Sequence, residues 1–600
     1  MNPLNLDPNA PWRQRFRAAS ILWAQVASQN QSRGLVCTNK DGIYQLYAWE
    51  VGTQNLRQVT HEHAGVVFGK ISADGEEVYF LKDEGGNEIG HFVRVPFGGG
   101  EAQSITPDLP PYSSFDITTS HSGNRLGFIG ANQSGFTAHT IQDDAAQPFY
   151  HSANLCDWLS LSADGSLAVL CSTDRTKSMD FSLLAFDLAS GRQHAELWDG
   201  DGASLESPIF SPIPGDPRLL ATSSKSGYER PLIWNPITNE RTDLVLDDVP
   251  GSLFVWAWSP DASWVLLLQL YQARYQAYLY DLNTVQARKL DHPAGVVGGF
   301  FNGFFVGDEI WLTWQNPSQP SRLIALDAET GQLKRTLLSA GDSPAGRDVQ
   351  SHIITSENGA EIQIWVAVPE GDGPFSTILH THGGPTAVQT AGFAPSAQTW
   401  LDHGFAFCSV NYHGSTTFGK SFEKSIWGNL GDLEVQDMAA AYHWLVEKNI
   451  AKPDAVLLTG GSYGGYLTLQ ALGRRPDLWA GGMALVAIGD WKIMYEDSAE
   501  TLRGYQRALF GGSPEETPEA TQKSSPITYA GQVNAPILVI QGENDTRCPA
   551  RQMKVYEEKL KSLGKSIHVH WFDAGHGSLS QEEQIKQHEL MLRFAYQVLG

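Results

Sequence analysis

Residues 459–469 read TGGSYGGYLTL, one serine hydroxyl set among glycines. The run before it, AVLLTG (455–460), is short and apolar, as a covered strand should be. The run after it, YLTLQALGRR (466–475), starts a helix. Glycine beside the serine lets the backbone take dihedrals closed to other residues, and lets strand and helix pack closely. Gly460-Gly461-Ser462-Tyr463-Gly464 fits G-x-S-x-G, the spacing that presents a serine oxygen on a sharp strand-to-helix turn. The helix start also brings backbone N–H groups to where negative charge would develop.

Working outward, the whole region after residue 345 has one rhythm. STILHT, FAFCSVN, AVLLTG, GMALVAI, APILVIQG and HVHWF are candidate strands, apolar nearly throughout. Helical periods lie among them, at Val435–Asn449, Ala550–Leu563 and Gln584–Leu599. Strands alternating with helices predict a doubly wound, mostly parallel sheet, an α/β-hydrolase domain over 346–600.

The first half follows another rule. KISADGEEVYFL, ITTSHSGNRLGFI, LSLSADGSLAVL, PIFSPIPGDPRLLA and WAWSPDASWVLLL each join two apolar runs through a small polar turn, beginning near Ser72, Ser120, Ser162, Ser211 and Ser259. A repeat of roughly 40–50 residues with four strands in each is the signature of a β-propeller. GLVCTNKDGIYQLYAWEVGTQN in front and FFNGFFVGDEIWLTW behind bring the count to seven blades. The reading is therefore a 1–30 N-terminal segment, a 31–345 seven-bladed propeller, and the hydrolase beyond the small polar stretch SAGDSPAGRD.

Composition narrows the function classes. A net charge of −24 over 600 residues lacks the basic footprint of a nucleic-acid binder. Five scattered cysteines without a CxxC pair argue against a disulfide framework. The N-terminus shows no apolar leader and no run is long enough to span a bilayer, so a soluble, cytoplasmic protein without membrane partners is expected.

A serine needs a base, and the base an orienting acid. In this fold they follow in the order serine, acid, histidine. Asp545 lies in the turn after APILVIQG, and His576 lies in the loop after HVHWF; both sit past strand ends, where such sheets build their sites. Glu543 is an alternative orienter, and Asp573 reads as a turn residue. For the oxyanion, the backbone N–H of Tyr463 pairs with that of Gly384, from the loop His382-Gly383-Gly384-Pro385. His380 and His382 form an H-x-H pair, but no third ligand completes it, and no metal or other cofactor is expected. Gly414–Ser421 (GSTTFGKS) satisfies the bare phosphate-loop expression, yet the Gly-broken sequence after it cannot give the long helix such a loop requires.

Together, HGGP, NYHGSTTFG, TGGSYGGYLTL, GDWKIMYEDS, SPITYAGQVNAPILVIQGENDTRCP and AGHG resemble, in order and spacing, the prolyl oligopeptidase family of serine peptidases, closest to its acylaminoacyl-peptidase branch. The resemblance covers the C-terminal domain, and the propeller agrees in architecture. It implies Ser462, Asp545 and His576 as nucleophile, acid and base. It implies that Arg547 holds a substrate carbonyl, with an ion pair to the propeller as the other reading. It implies that Trp491 and Tyr495 line an apolar pocket, with core packing as the alternative for Trp491. Glu84 and Glu88 match an acidic propeller loop of this branch and read as solvated charge. His413 stands where relatives carry arginine, and Cys548 where they carry valine.

The expected function is hydrolysis of short peptides through an acyl-enzyme, of acylaminoacyl, dipeptidyl or oligopeptidase type, with the propeller restricting substrate size. Relatives often assemble, so a homo-oligomer is one expectation. The alternatives are an esterase or amidase on non-peptide acyl compounds, and a binding protein with a silent hydrolase domain.

Overall fold

The computed structural model describes residues 1–142, 145–299 and 303–600. Phe300, Phe301 and Asn302, which open the last repeat quoted above, lie outside the described residues.

The repeats fold as seven antiparallel blades spanning 21–58, 70–104, 112–152, 156–197, 205–243, 252–289 and 296–338. The recurrent turn has a common chemistry. Ser162 Oγ donates to Asp164 Oδ1 and accepts the N–H of Leu167 at 2.9 Å. Ser72 does the same with Asp74 and Glu77, and Ser259 with Asp261 and Trp264. Each serine thus closes its own hairpin, which is why the residue recurs in the sequence. Blades two and three run into one sheet, because Tyr112–Ser113 pairs with both Ile89–Pro96 and Leu126–Asn132. The ring closes by packing: Ile21, Ala24 and Trp49 of blade one bury against Trp311, Leu323 and Leu338 of blade seven.

The hydrolase domain carries eight strands: Gln350–Thr355, Glu361–Ala367, Phe375–Thr381, Ala406–Asn411, Ala451–Gly461, Gly481–Leu485, Ile537–Gly542 and Ile567–Phe572. Their order across the sheet is one-two-four-three-five-six-seven-eight, antiparallel at the start and parallel from the fourth onward. Apolar residues fill both faces. This is the doubly wound hydrolase expected.

One expectation is corrected. The propeller begins at Ile21–Val26, the first strand of blade one, rather than at residue 31. The segment before it, helix Pro11–Arg17, belongs to the hydrolase: Trp12 and Phe16 bury against Trp400, Ile585 and Leu592, and Arg15 pairs with Asp402 at 2.5 Å. Apolar burial outweighs chain order here, so the propeller is inserted between the first helix and the sheet. The two connections touch, with the Gly341 N–H donating to the Ala19 carbonyl at 2.8 Å.

Candidate active site

The fifth strand ends at Gly461, and the helix Tyr463–Arg474 starts two residues later. Ser462 between them is held at φ 56° and ψ −120°, a conformation that a non-glycine residue adopts only when its surroundings impose it. Its N–H donates to the Leu485 carbonyl at 2.9 Å, and its carbonyl accepts from Tyr466 N–H at 2.9 Å. A Cβ on Gly464 would lie 2.1 Å from the Thr381 carbonyl oxygen, so only glycine lets the helix cross the third strand this closely.

The acid and base loops meet at the same sheet edge. Asp545 Oδ2 lies 2.9 Å from His576 Nδ1. Its other oxygen accepts the N–H groups of Arg547 and Cys548, both at 2.8 Å. The Asp545 side chain is fully buried, while that of His576 is 12% exposed. Cys548 joins this pair: its Sγ lies within 4.8 Å of ligating atoms of Asp545 and His576. Burial pushes that thiol well above the ordinary range.

The Gly383 backbone faces the serine; a Cβ there would come within 3.4 Å of the Ser462 Cβ. Gly384 follows at φ 124°, in the left-handed region that favours glycine. Tyr463 opens its helix, so its N–H has no partner within that helix. His382 is fixed beneath this loop by Ser415 Oγ at 2.8 Å, stacks on Tyr412, and is held neutral by burial, its pKa down to about 4. His380 contacts Ser409 Oγ at 2.8 Å. Each histidine of the H-x-H pair is therefore engaged by a serine.

Other expected site residues are redistributed. Arg547 makes a two-pronged ion pair with Glu88 of the propeller, 2.6 Å on each arm. Glu88 is thus not free solvated charge, which corrects that reading. Trp491 is 3% exposed and packs on Tyr466 and Phe510, a core side chain rather than a pocket wall. Its helix is capped by Asp490, and Gln506 bonds the Trp491 carbonyl, which together turn the indole inward. Tyr495 is half-buried, with its hydroxyl 3.0 Å from Arg507. His413 bonds the buried Asp437 at 2.7 Å and stacks on Phe422.

Two clusters escaped the sequence pattern. Lys420, from the phosphate-loop-like stretch, enters a cage of Glu229 at 3.0 Å, Glu423 at 2.9 Å and Glu206 at 3.9 Å. Its backbone N–H also donates to the propeller's Gly227 carbonyl, so this loop binds a protein domain and not a phosphate. Asp116, Asp157 and Glu206 stand at the starts of the innermost strands of blades three to five. Burial, with the nearby Asp116 and Glu206 charges, pushes Asp157 up to about 7. Their recurrence four or five residues before the repeat serines Ser120, Ser162 and Ser211 is the signal that could have found them.

Residues 391–600 match the family described as the prolyl oligopeptidase family, Peptidase_S9. The chain is 32% identical over 252 residues to "Dipeptidyl peptidase family member 6" of Caenorhabditis elegans, covering 39% of this chain and 34% of that protein. It is 30% identical to "Acylamino-acid-releasing enzyme 2" of Oryza sativa subsp. japonica, covering 33% of this chain and 26% of that one. The matches thus span about a third or less of those relatives' length. A solved Mycobacterium tuberculosis puromycin-hydrolyzing peptidase superposes with a TM-score of 0.83 at 19% identity, over 100% of this chain and 97% of its own, which establishes the shared two-domain fold.

Proposed function

We propose that this chain, whose residues 391–600 match the prolyl oligopeptidase family, is a serine peptidase that hydrolyses short peptides through an acyl-enzyme. The observation that carries the reading is the Asp545–His576 hydrogen bond at the same strand-end edge of the sheet where the strained Ser462 opens its helix. In this mechanism His576 takes the proton of Ser462 as the hydroxyl attacks a peptide carbonyl. Asp545 holds the Nδ1–H tautomer and stabilises the imidazolium. The backbone N–H groups of Tyr463 and Gly384 receive the oxyanion, each worth about 3 kcal/mol of barrier. His576 then protonates the leaving amine, and water attacks the acyl-enzyme by the same route in reverse.

The propeller loop pressed against the acid and base loops supports a size limit, because it narrows the approach that a folded protein would need. Substrates are therefore short peptides, acyl-aminoacyl, dipeptidyl or internally cleaved.

Ser462→Ala is expected to abolish turnover of peptide anilides and labelling by a fluorophosphonate probe. A Ser462→Ala protein that still hydrolyses peptides would sink the assignment. A panel of acyl-aminoacyl, free dipeptidyl and blocked prolyl anilides, run beside simple esters, assigns the substrate class.

A further inference from the structure

Cys548 has a role that peptide hydrolysis leaves unused. Its N–H donates to Asp545 Oδ1 at 2.8 Å and its carbonyl accepts from Gln541 Nε2 at 2.7 Å, so its backbone cannot swing away. Ligating atoms of Asp545, Cys548 and His576 lie within 4.8 Å of one another, and among the described residues no other group of three such side chains does.

We propose that Asp545, Cys548 and His576 form an inhibitory site for a thiophilic divalent cation of the zinc class. One sulfur, one imidazole nitrogen and one carboxylate oxygen make a donor set that suits such an ion. Bonds of about 2.0–2.3 Å place tetrahedral ligand atoms roughly 3.3–3.7 Å apart. The three side chains reach that spacing by closing about an ångström. A water or the Ser462 hydroxyl completes the fourth position. On binding, the thiol releases its proton to solvent and the sulfur lone pair forms the bond to the metal; no electron is transferred. The ion then holds the imidazole and carboxylate that would serve the nucleophile, and a chelator restores them.

Inhibition rests on the proposed serine chemistry, whereas cation binding does not, so the two are read separately. The full chain is titrated with cadmium in thiol-free buffer, following the ultraviolet thiolate-to-cadmium absorption. Wild type is expected to saturate at one equivalent, zinc to compete the band away, and Cys548→Val and Cys548→Ser to lack it. Melting curves verify that both variants are folded. Zinc is also expected to slow fluorophosphonate labelling of wild type, with a midpoint about tenfold or more higher in Cys548→Val. An absent band in wild type, or an equal band in both variants, overturns the site; so does labelling that zinc slows equally in wild type and Cys548→Val. A wild type that never labels, even without cation, overturns the serine chemistry instead and leaves the cadmium result standing.

Discussion

Glu434 stands directly behind the nucleophile turn. Its Oε1 accepts the Tyr463 hydroxyl at 2.6 Å and the Gly431 N–H at 3.0 Å, while Oε2, fully buried, meets no donor. Burial pushes this carboxyl up to about 7, against the opposing pull of the Tyr463 hydrogen bond. The folded state therefore binds a proton that the unfolded chain, with an ordinary glutamate, has already lost. Stability is full below about pH 4.5 and falls as pH rises toward 7, by on the order of 3 kcal/mol. Glu434→Gln mimics the protonated acid. It should raise the urea midpoint of the hydrolase transition at pH 8 and leave it nearly unchanged at pH 5. An equal shift at both values would show that Glu434 is not the titrating group. None of this is written in the local sequence, where Glu434 is only an acidic residue in the first turn of helix Leu433–Glu447. Its raised pKa comes from burial, which only the assembled fold supplies.

At the scale of an element, the loop between the second and third strands of blade two reaches across the domains. Asn544 donates to the Gly85 carbonyl at 3.3 Å and Thr546 to the Asn87 carbonyl at 2.7 Å. A Cβ on Gly575 would lie 1.8 Å from the Gly86 carbonyl oxygen, so the residue beside His576 must be glycine for the two loops to touch. The Arg547–Glu88 pair completes this clasp. Its side chains are 36% and 38% exposed, so the pair itself is worth only about 0.5–1 kcal/mol. The test is a double-mutant cycle on kcat/KM. If Arg547 acts by positioning the Asp545 loop, Glu88→Ala and Arg547→Ala should cost similar amounts, and the double variant no more than either. If Arg547 instead holds a substrate carbonyl, Arg547→Ala alone should exceed Glu88→Ala severalfold, with the excess in KM. The hairpin serines, the nucleophile turn and the strand-end acid and base were legible because each is a local pattern. Glu88 was not, because its partner lies 459 residues away and no spacing rule connects them. Trp491 misled for the opposite reason: its place after a strand end suits a pocket, and only packing turns it into the core.

On the scale of the whole molecule, the propeller is an insertion held by two covalent connections and several clasps. The sequence showed two architectures joined near residue 345, but not that the chain starts inside the hydrolase, since seven residues of helix carry no mark of which core they will join. The clasp at blades four and five is electrostatic. Lys424 reaches Asp180 at 2.5 Å, and Lys420 sits in the cage of Glu206, Glu229 and Glu423. Burial alone would raise Glu229, but Lys420 and Ser252 outweigh it and hold it low; burial leaves Glu423 at about 7. One ammonium therefore balances three acids, one of them partly protonated. Lys420→Met removes that ammonium and leaves buried carboxylates facing each other, a change that typically costs about 3–5 kcal/mol. The cheapest relief is for blades four and five to draw away from the hydrolase and admit water. Lys420→Met is therefore expected to speed proteolytic nicking in the connection 339–349 and to raise turnover of longer peptides relative to tripeptide anilides. Glu423→Gln, which removes only a partly protonated acid, should do neither. If Lys420→Met loses stability yet keeps both the protected connection and the wild-type length preference, the cage holds the fold without guarding the entrance, and the size limit must come from the blade-two clasp alone.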